Sequence, residues 1–411
     1  MAADSGGEPM LEPFNPFRPE VVADPYPYYQ RYRQQEPVHY SEALDAWVLT
    51  RYRDVEAVLN DDRFSANRRL ARNRFAQLMV QQEMQRMGPV GQVTTMLGAD
   101  PPEHTRLRRL VSKAFTVRAV ESLRPRIQQL VDELLDEAEA KGDFDLVADL
   151  AFPLPVIVIA EMLGVPPEDR HLFKRWSDDV AASLGLLTRP DVAERARQSI
   201  LEMTEYFRQA VAERRRRPRE DLISGLVAAE EQGQALSEQE VLATLVLLLV
   251  AGNETTTNLI SNGMLALFRH PDQWERLCRQ PELVRTAVEE LLRYESPAQA
   301  TSRVALQELE IDGRRVEPYQ MVMCIIGAAN RDPEVFAEPD RLDIAREPNP
   351  HLAFGDGIHF CLGAPLARAE AQTAFAALAR RFPRIRPLSD RAEWGPNYIL
   401  RGLKRLPVSV R

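Results

Sequence analysis

The 411-residue chain carries 61 acidic and 52 basic side chains, for a formal net charge of −9, and is 45% hydrophobic and 27% charged. That balance fits a soluble globular protein with a large core and argues against a nucleic-acid partner. Its three cysteines, Cys278, Cys324 and Cys361, lie far apart, which excludes a disulfide framework or a zinc site and suits a reducing cytosol.

The start, Met1-Ala2-Ala3-Asp4-Ser5-Gly6-Gly7, lacks the basic and apolar regions of a signal peptide, and residues 1–20 read as a loose lead-in. A short helix is expected from Pro25 to Arg33, then strands at Val38–Tyr40 and Ala46–Thr50, then a helix from Tyr52 to Leu59. Residues 65–97, polar and rich in Arg, Gln and Met, read as a mobile loop with a short helix. Asp100-Pro101-Pro102 opens a helix that carries His104 and Arg108 on one face. By residue type alone this is equally a solvated basic face. Arg106, Arg109 and Lys113 add to it a basic patch suited to an acidic partner.

An amphipathic helix is expected over Ala119–Lys141, then a partly helical apolar stretch over Phe144–Leu163. Two or three helices should fill 166–217, around Leu184-Gly185-Leu186-Leu187. The run Arg214–Arg217 reads as a solvated helix end, since no aromatic residue interrupts it. Ser237 and Glu240 form a capping box that starts a helix running to Arg269, where His270-Pro271 stops it. Its apolar stretch Leu245 to Gly252 is too short to span a bilayer. In the middle stand Ala251-Gly252-Asn253-Glu254-Thr255-Thr256-Thr257. An acid and three threonines are poor local choices between apolar flanks, because threonine hydroxyls bond back to the preceding turn and loosen it. A local rule broken at a buried position marks a functional site.

Glu290 and Arg293 share a face of the helix over Leu283–Arg293 and can pair. A strand region from Ser302 follows, with a turn at Asp312-Gly313 and a strand over Met321–Ile326; Asn397–Leu403 reads as a hairpin. Cys278 and Cys324 fall in helical and strand patterns and read as packing residues.

The stretch Phe354-Gly355-Asp356-Gly357-Ile358-His359-Phe360-Cys361-Leu362-Gly363-Ala364-Pro365 is the most specific signal. Ala364-Pro365 opens a helix, so Cys361 faces the positive end of its dipole, which favours thiolate. The glycines let the backbone come close to something flat or bulky. A cysteine near glycines is by default a buried structural residue. The whole pattern, however, resembles the haem-thiolate loop of the cytochrome P-450 family.

The resemblance extends from about Asp24 to the end of the chain, and is nearest to soluble bacterial members that oxidise natural products, such as macrolide hydroxylases. It implies a mainly α fold with small β-sheets, one large haem-binding domain over 21–411 and a long central helix. Cys361 becomes the axial ligand of haem b (iron protoporphyrin IX), with Phe354, Gly355 and Gly363 shaping its loop. His104, Arg108, Arg303 and His359 become donors to the haem propionates. Ala251 lines an oxygen groove, where Glu254 and Thr255 relay protons. Glu290, Arg293 and Arg341 form a buried ion network. The substrate pocket is expected at Leu248, Ala251, Ala298, Gln299, Ala300, Thr301 and Ile399, together with the 180s region and the loop before the His104 helix.

The implied function is a monooxygenase that hydroxylates a lipophilic molecule, such as a macrolide, steroid, terpenoid or fatty acid. No Gly-x-Gly-x-x-Gly motif follows a strand, so electrons are expected from a separate ferredoxin and its reductase, docking near Cys361, Arg106 and Arg109. The expected protein is a cytoplasmic monomer without a membrane span. A peroxide-driven oxygenase or nitric oxide reductase on the same fold, and a non-catalytic haem carrier, are the alternatives.

Overall fold

The computed structural model describes residues 11–114, 116–183, 189–231 and 234–411. The expected Leu184–Leu187 segment lies outside them. The organising element is a 32-residue helix, Glu238–Arg269. At about 1.5 Å per residue it runs about 48 Å. The Ser237 hydroxyl accepts from the Glu240 N–H at 3.3 Å, and the Glu240 carboxylate accepts from the Ser237 N–H at 2.7 Å. Such a cap stabilises the helix by about 1 kcal/mol. His270 leaves helical geometry at the other end and Pro271 opens the next helix, Pro271–Arg279.

This central helix is long and apolar enough in composition to cross a bilayer, but most of its apolar window is buried inside the protein. It packs against Pro153–Met162, Pro190–Arg216, Val284–Tyr294 and Ala364–Arg381. Gly263 permits the closest approach. A Cβ there would meet Phe375 at 2.8 Å and Leu291 at 3.1 Å, so a larger residue would push the helices apart. Helix Ala364–Arg381, which follows Cys361, is held on its other side by Val117–Lys141.

The sheets are small, as the mainly α expectation requires. The largest has five strands in the order Val38–Ser41, Ala46–Leu49, Met321–Cys324, Thr301–Ala305, Phe64–Ser65. Only the Ala46–Leu49 and Met321–Cys324 pairing is parallel. A hairpin of Glu393–Trp394 and Leu403–Arg405 brings Leu400 to bridge Ala298. Arg401 fixes this hairpin, donating to Glu295 at 2.7 Å and to the Ala23 carbonyl at 2.8 Å.

Three expectations are corrected. The stretch 65–97, expected as a mobile loop with a short helix, holds a 14-residue helix, Arg74–Met87, ended by Gly88 at φ +56°. Its Gln, Met, Leu and Arg residues are good helix formers, and only Ala76 is buried, so no apolar stripe reveals it. The lead-in is packed from residue 11 on: Phe14 is fully buried and its carbonyl accepts from the Ser41 hydroxyl at 2.7 Å. Within the arginine run, Arg214 is buried, donating to Asp221 at 2.6 Å and to the Gly164 carbonyl at 3.0 Å.

Candidate active site

The Cys361 loop is a rigid turn by construction. Gly355 and Gly357 sit at φ +70° and +65°, where residues with side chains are strained. At Gly357 a Cβ would also lie 2.8 Å from the Leu59 carbonyl oxygen. The Asp356 side chain accepts from Asn60 at 2.8 Å, and the Cys361 N–H donates to the Phe354 carbonyl at 2.9 Å. Arg368, seven residues beyond Cys361 on the following helix, stacks over the Phe354 ring at 4.6 Å. Its guanidinium is held by two 2.7 Å bonds to Glu289, which also meets His351 at 3.0 Å. The Cys361 side chain is open to solvent, yet protein surrounds it on most sides, which places it in a recess. Burial pushes its thiol up. The Gly363 and Ala364 N–H groups and the Arg108 and Arg368 charges pull the other way without overcoming it.

A cationic cluster surrounds this loop. The His104 and His359 rings lie 4.2 Å apart. Burial pushes both imidazoles down, His359 to about 4, helped by Arg303 and Arg108. Arg108 donates to the Phe360 carbonyl at 2.6 Å, and Arg303 to the Ser302 carbonyl at 3.0 Å. Among the described residues neither guanidinium has a carboxylate within ion-pairing distance. The His104 Nε2 is buried without a hydrogen-bond partner. Asp100, the nearest acid named, is engaged by Ser65 and by the Ala66 N–H at 2.9 Å. A buried and a half-buried guanidinium and an unpartnered imidazole nitrogen beside an open cysteine fit a ligand that brings its own carboxylates, as haem does. His104, Arg108, Arg303 and His359 thus come together as the sequence anticipates. Arg106 does not add to a free basic patch, because its guanidinium is bound by Glu103 and Glu240.

The central helix presents a stripe. Leu248, Ala251, Glu254 and Thr255 retain accessibility, whereas Leu249, Asn253, Thr256 and Asn258 are buried. Spacings of three and four residues put the accessible set on one face. The Thr255 hydroxyl donates to the Ala251 carbonyl at 3.0 Å, the back-bond anticipated from sequence. Burial pushes the Glu254 carboxyl up, and the Asn258 amide one turn on partly offsets this. Thr257 leaves that face and donates to the Ala151 carbonyl at 3.1 Å.

Of the other expected pocket residues, Ala298, Thr301 and Ile399 are partly accessible. Gln299 and Ala300 are not. The Gln299 amide donates to Ser296 at 2.8 Å and Tyr26 at 3.2 Å, and Ala300 packs with Phe14 and Tyr29.

Glu290 and Arg293 are fully buried and form two 2.8 Å bonds. Arg341 is not their third member. Its side chain is exposed and pairs with Glu338; only its carbonyl meets Arg293. Arg346 takes the place, with Nε 3.1 Å from both Glu290 oxygens. The chain returns past Glu290 after the turn at Asp343, whose N–H also donates to it at 2.9 Å. Sequence reasoning passed over Arg346, which has no distinguishing neighbour pattern. Arg368 was also passed over, although its helical spacing from Ala364 places both on one face.

The family model for cytochrome P450 matches residues 188–280 and 279–393. The polyketide biosynthesis cytochrome P450 PksS of Bacillus subtilis is 42% identical over 97% of this chain and 98% of its own. Its solved structure superposes with a TM-score of 0.88, covering 97% of this chain and 99% of that one. The cytochrome P450 monooxygenase PikC of Streptomyces venezuelae is 42% identical over 95% of this chain and 92% of its own. CYP109E1 from Bacillus megaterium, solved with testosterone, is 36% identical, with a TM-score of 0.84 over 97% and 100% of the two chains. The chain therefore belongs to the cytochrome P450 family and is a haem-thiolate monooxygenase.

Proposed function

We propose that this enzyme inserts one oxygen atom from dioxygen into a C–H bond of a lipophilic small molecule in the cytoplasm, with electrons from a separate ferredoxin-type protein and its reductase. The observation that carries this reading is the accessible stripe of Leu248, Ala251, Glu254 and Thr255 on a mostly buried helix, in a chain whose family places an open cysteine beside haem. Bound haem supplies the redox chemistry of dioxygen activation and C–H oxidation. The protein's residues do the rest. Cys361 Sγ would hold the haem iron, and the N–H groups of Gly363 and Ala364 would temper its charge. His104, Arg108, Arg303 and His359 would hold the propionates. Glu254, whose carboxyl burial pushes up, would be the proton reserve, and the Thr255 hydroxyl would pass protons from it. Leu248, Ala251, Ala298, Thr301 and Ile399 orient the substrate and exclude water. The testosterone held by CYP109E1 and the polyketide pathway of PksS support a lipophilic substrate.

The test is the carbon monoxide difference spectrum of the reduced protein. Wild type should show the long-wavelength band of thiolate ligation, and Cys361→Ala should lose it. The same band in the variant would remove Cys361 from the iron.

A further inference from the structure

Helix Val284–Tyr294 carries two adjacent acids that serve different parts of the fold. Glu290 belongs to the buried network of Arg293 and Arg346. Glu289 turns instead toward the Cys361 loop. It accepts from Nε and Nη2 of Arg368, each at 2.7 Å, and meets His351 Nε2 at 3.0 Å. The Ala353 N–H donates to His351 Nδ1 at 3.3 Å, so the ring proton lies on Nε2 and is donated to Glu289. Three segments distant in sequence thus converge: this helix, the chain before Cys361 and the helix after it. The His351 side chain is only 4% exposed, and those of Glu289 and Arg368 are 27% and 30% exposed. A guanidinium held by two parallel bonds is fixed in place as well as paired.

Neither the propionate donors nor the proton relay uses this cluster, yet it closes on the cysteine loop. The Arg368 guanidinium stacks 4.6 Å over the Phe354 ring, and the Phe354 carbonyl accepts the Cys361 N–H at 2.9 Å. The same ring lies 6.1 Å from that of His351 and 6.2 Å from that of Phe360, so it is wedged between the cluster and the residue before Cys361. The Arg368 charge also reaches the Cys361 sulfur, where it favours the thiolate.

We propose that this ion pair sets the reduction potential of the haem held by Cys361: the Arg368 charge favours the reduced form, and Glu289 limits that effect by neutralising Arg368 while fixing it over Phe354. The inference rests on Cys361 as the axial ligand and assigns two positioning residues to the electron-transfer step. In that step one electron passes from the ferredoxin-type donor to ferric haem, giving ferrous haem and leaving the site one unit more negative. A positive charge nearby favours the product and a negative one the reactant. A unit charge several ångströms away, acting through an effective dielectric of about 20, moves such an equilibrium about tenfold, or about 59 mV for one electron.

The experiment is a spectroelectrochemical titration of haem-loaded wild type and variants at pH 8, above the ordinary carboxylate range, with haem content and the carbon monoxide band recorded for each. Arg368→Gln leaves Glu289 uncompensated and should favour ferric haem about tenfold, lowering the potential by about 59 mV. Glu289→Gln leaves Arg368 uncompensated and should raise the potential by a similar amount. The double variant, and Arg368→Lys, which keeps the charge, should stay within about threefold of the wild-type equilibrium. A loosened loop would move both single variants the same way, whereas a charge effect moves them apart. Unmoved potentials, shifts of one sign in both single variants, or Arg368→Lys behaving as Arg368→Gln would overturn the proposal. Should Arg368→Gln not hold haem, the sign of the Glu289→Gln shift alone decides. Failure of the ligand reading looks different: wild type would lack the thiolate band altogether.

Discussion

Replacing Arg346 separates the buried ion network that the structure shows from the one that the sequence suggested. Arg346 Nε lies 3.1 Å from each Glu290 oxygen, and its other nitrogens donate to the carbonyls of Ala337 at 2.8 Å, Arg341 at 3.2 Å and Glu338 at 3.3 Å. Arg346→Ala leaves the fully buried Glu290 carboxylate with Arg293, the Asp343 N–H and Asn349. Breaking a buried pair outright costs about 3–5 kcal/mol, and the remaining partners place this case at the low end, near ~3 kcal/mol. At about 2.1 cal/mol/K per residue, unfolding of a 411-residue chain has an entropy of ~0.9 kcal/mol/K. The Tm should then fall by about 3–4 °C. Arg341→Ala removes an exposed pair with Glu338, worth about 0–1 kcal/mol, and should shift Tm by about 1 °C or less. Parallel thermal melts of the haem-loaded variants decide the matter. An Arg341→Ala loss equal to that of Arg346→Ala would refute the assignment.

Two further outcomes are expected. Thr255→Ala removes the donor to the Ala251 carbonyl and should keep haem while lowering product per electron pair by about tenfold or more, with the electrons diverted to peroxide, since positioned proton transfer contributes about 10²-fold or more; coupling equal to wild type would sink the relay. Glu289→Gln should give a pH-dependent loss of stability: burial raises the Glu289 carboxyl, but Arg368 and His351 outweigh it and bring it to about 2. Because the folded value lies below the ordinary 4.5, the stabilisation, at most about 3 kcal/mol, is complete above 4.5 and lost as pH falls toward 2. Urea melts should show the gap between wild type and variant narrowing below about pH 4.5; a constant gap would exclude ionisation as its source.

Much of this enzyme was legible along the chain because its signals are local. The capping box at Ser237 and Glu240, the polar break at Glu254 and Thr255, the Glu290–Arg293 spacing and the glycine loop around Cys361 each lie within one or two turns of chain. Elementary propensity and helical geometry read them directly, and the family pattern then joined them. Of the stretch 65–97 only a short helix was expected, and the bounds of Arg74–Met87 were not legible because it buries one residue and so leaves no periodic stripe.

What the fold alone decided depends on contacts distant in sequence. Arg346 reaches Glu290 across more than fifty residues, and no local pattern distinguishes it from Arg341. Gln299 and Ala300 turn inward because Tyr26 and Phe14, far away in the chain, receive them. How far burial opposes the helix end at the Cys361 thiol depends on how many distant residues close around it. The chain thus determined which groups carry the chemistry. Only packing settled which charges are neutralised and which, like Arg108 and Arg303, stay without a carboxylate among the described residues.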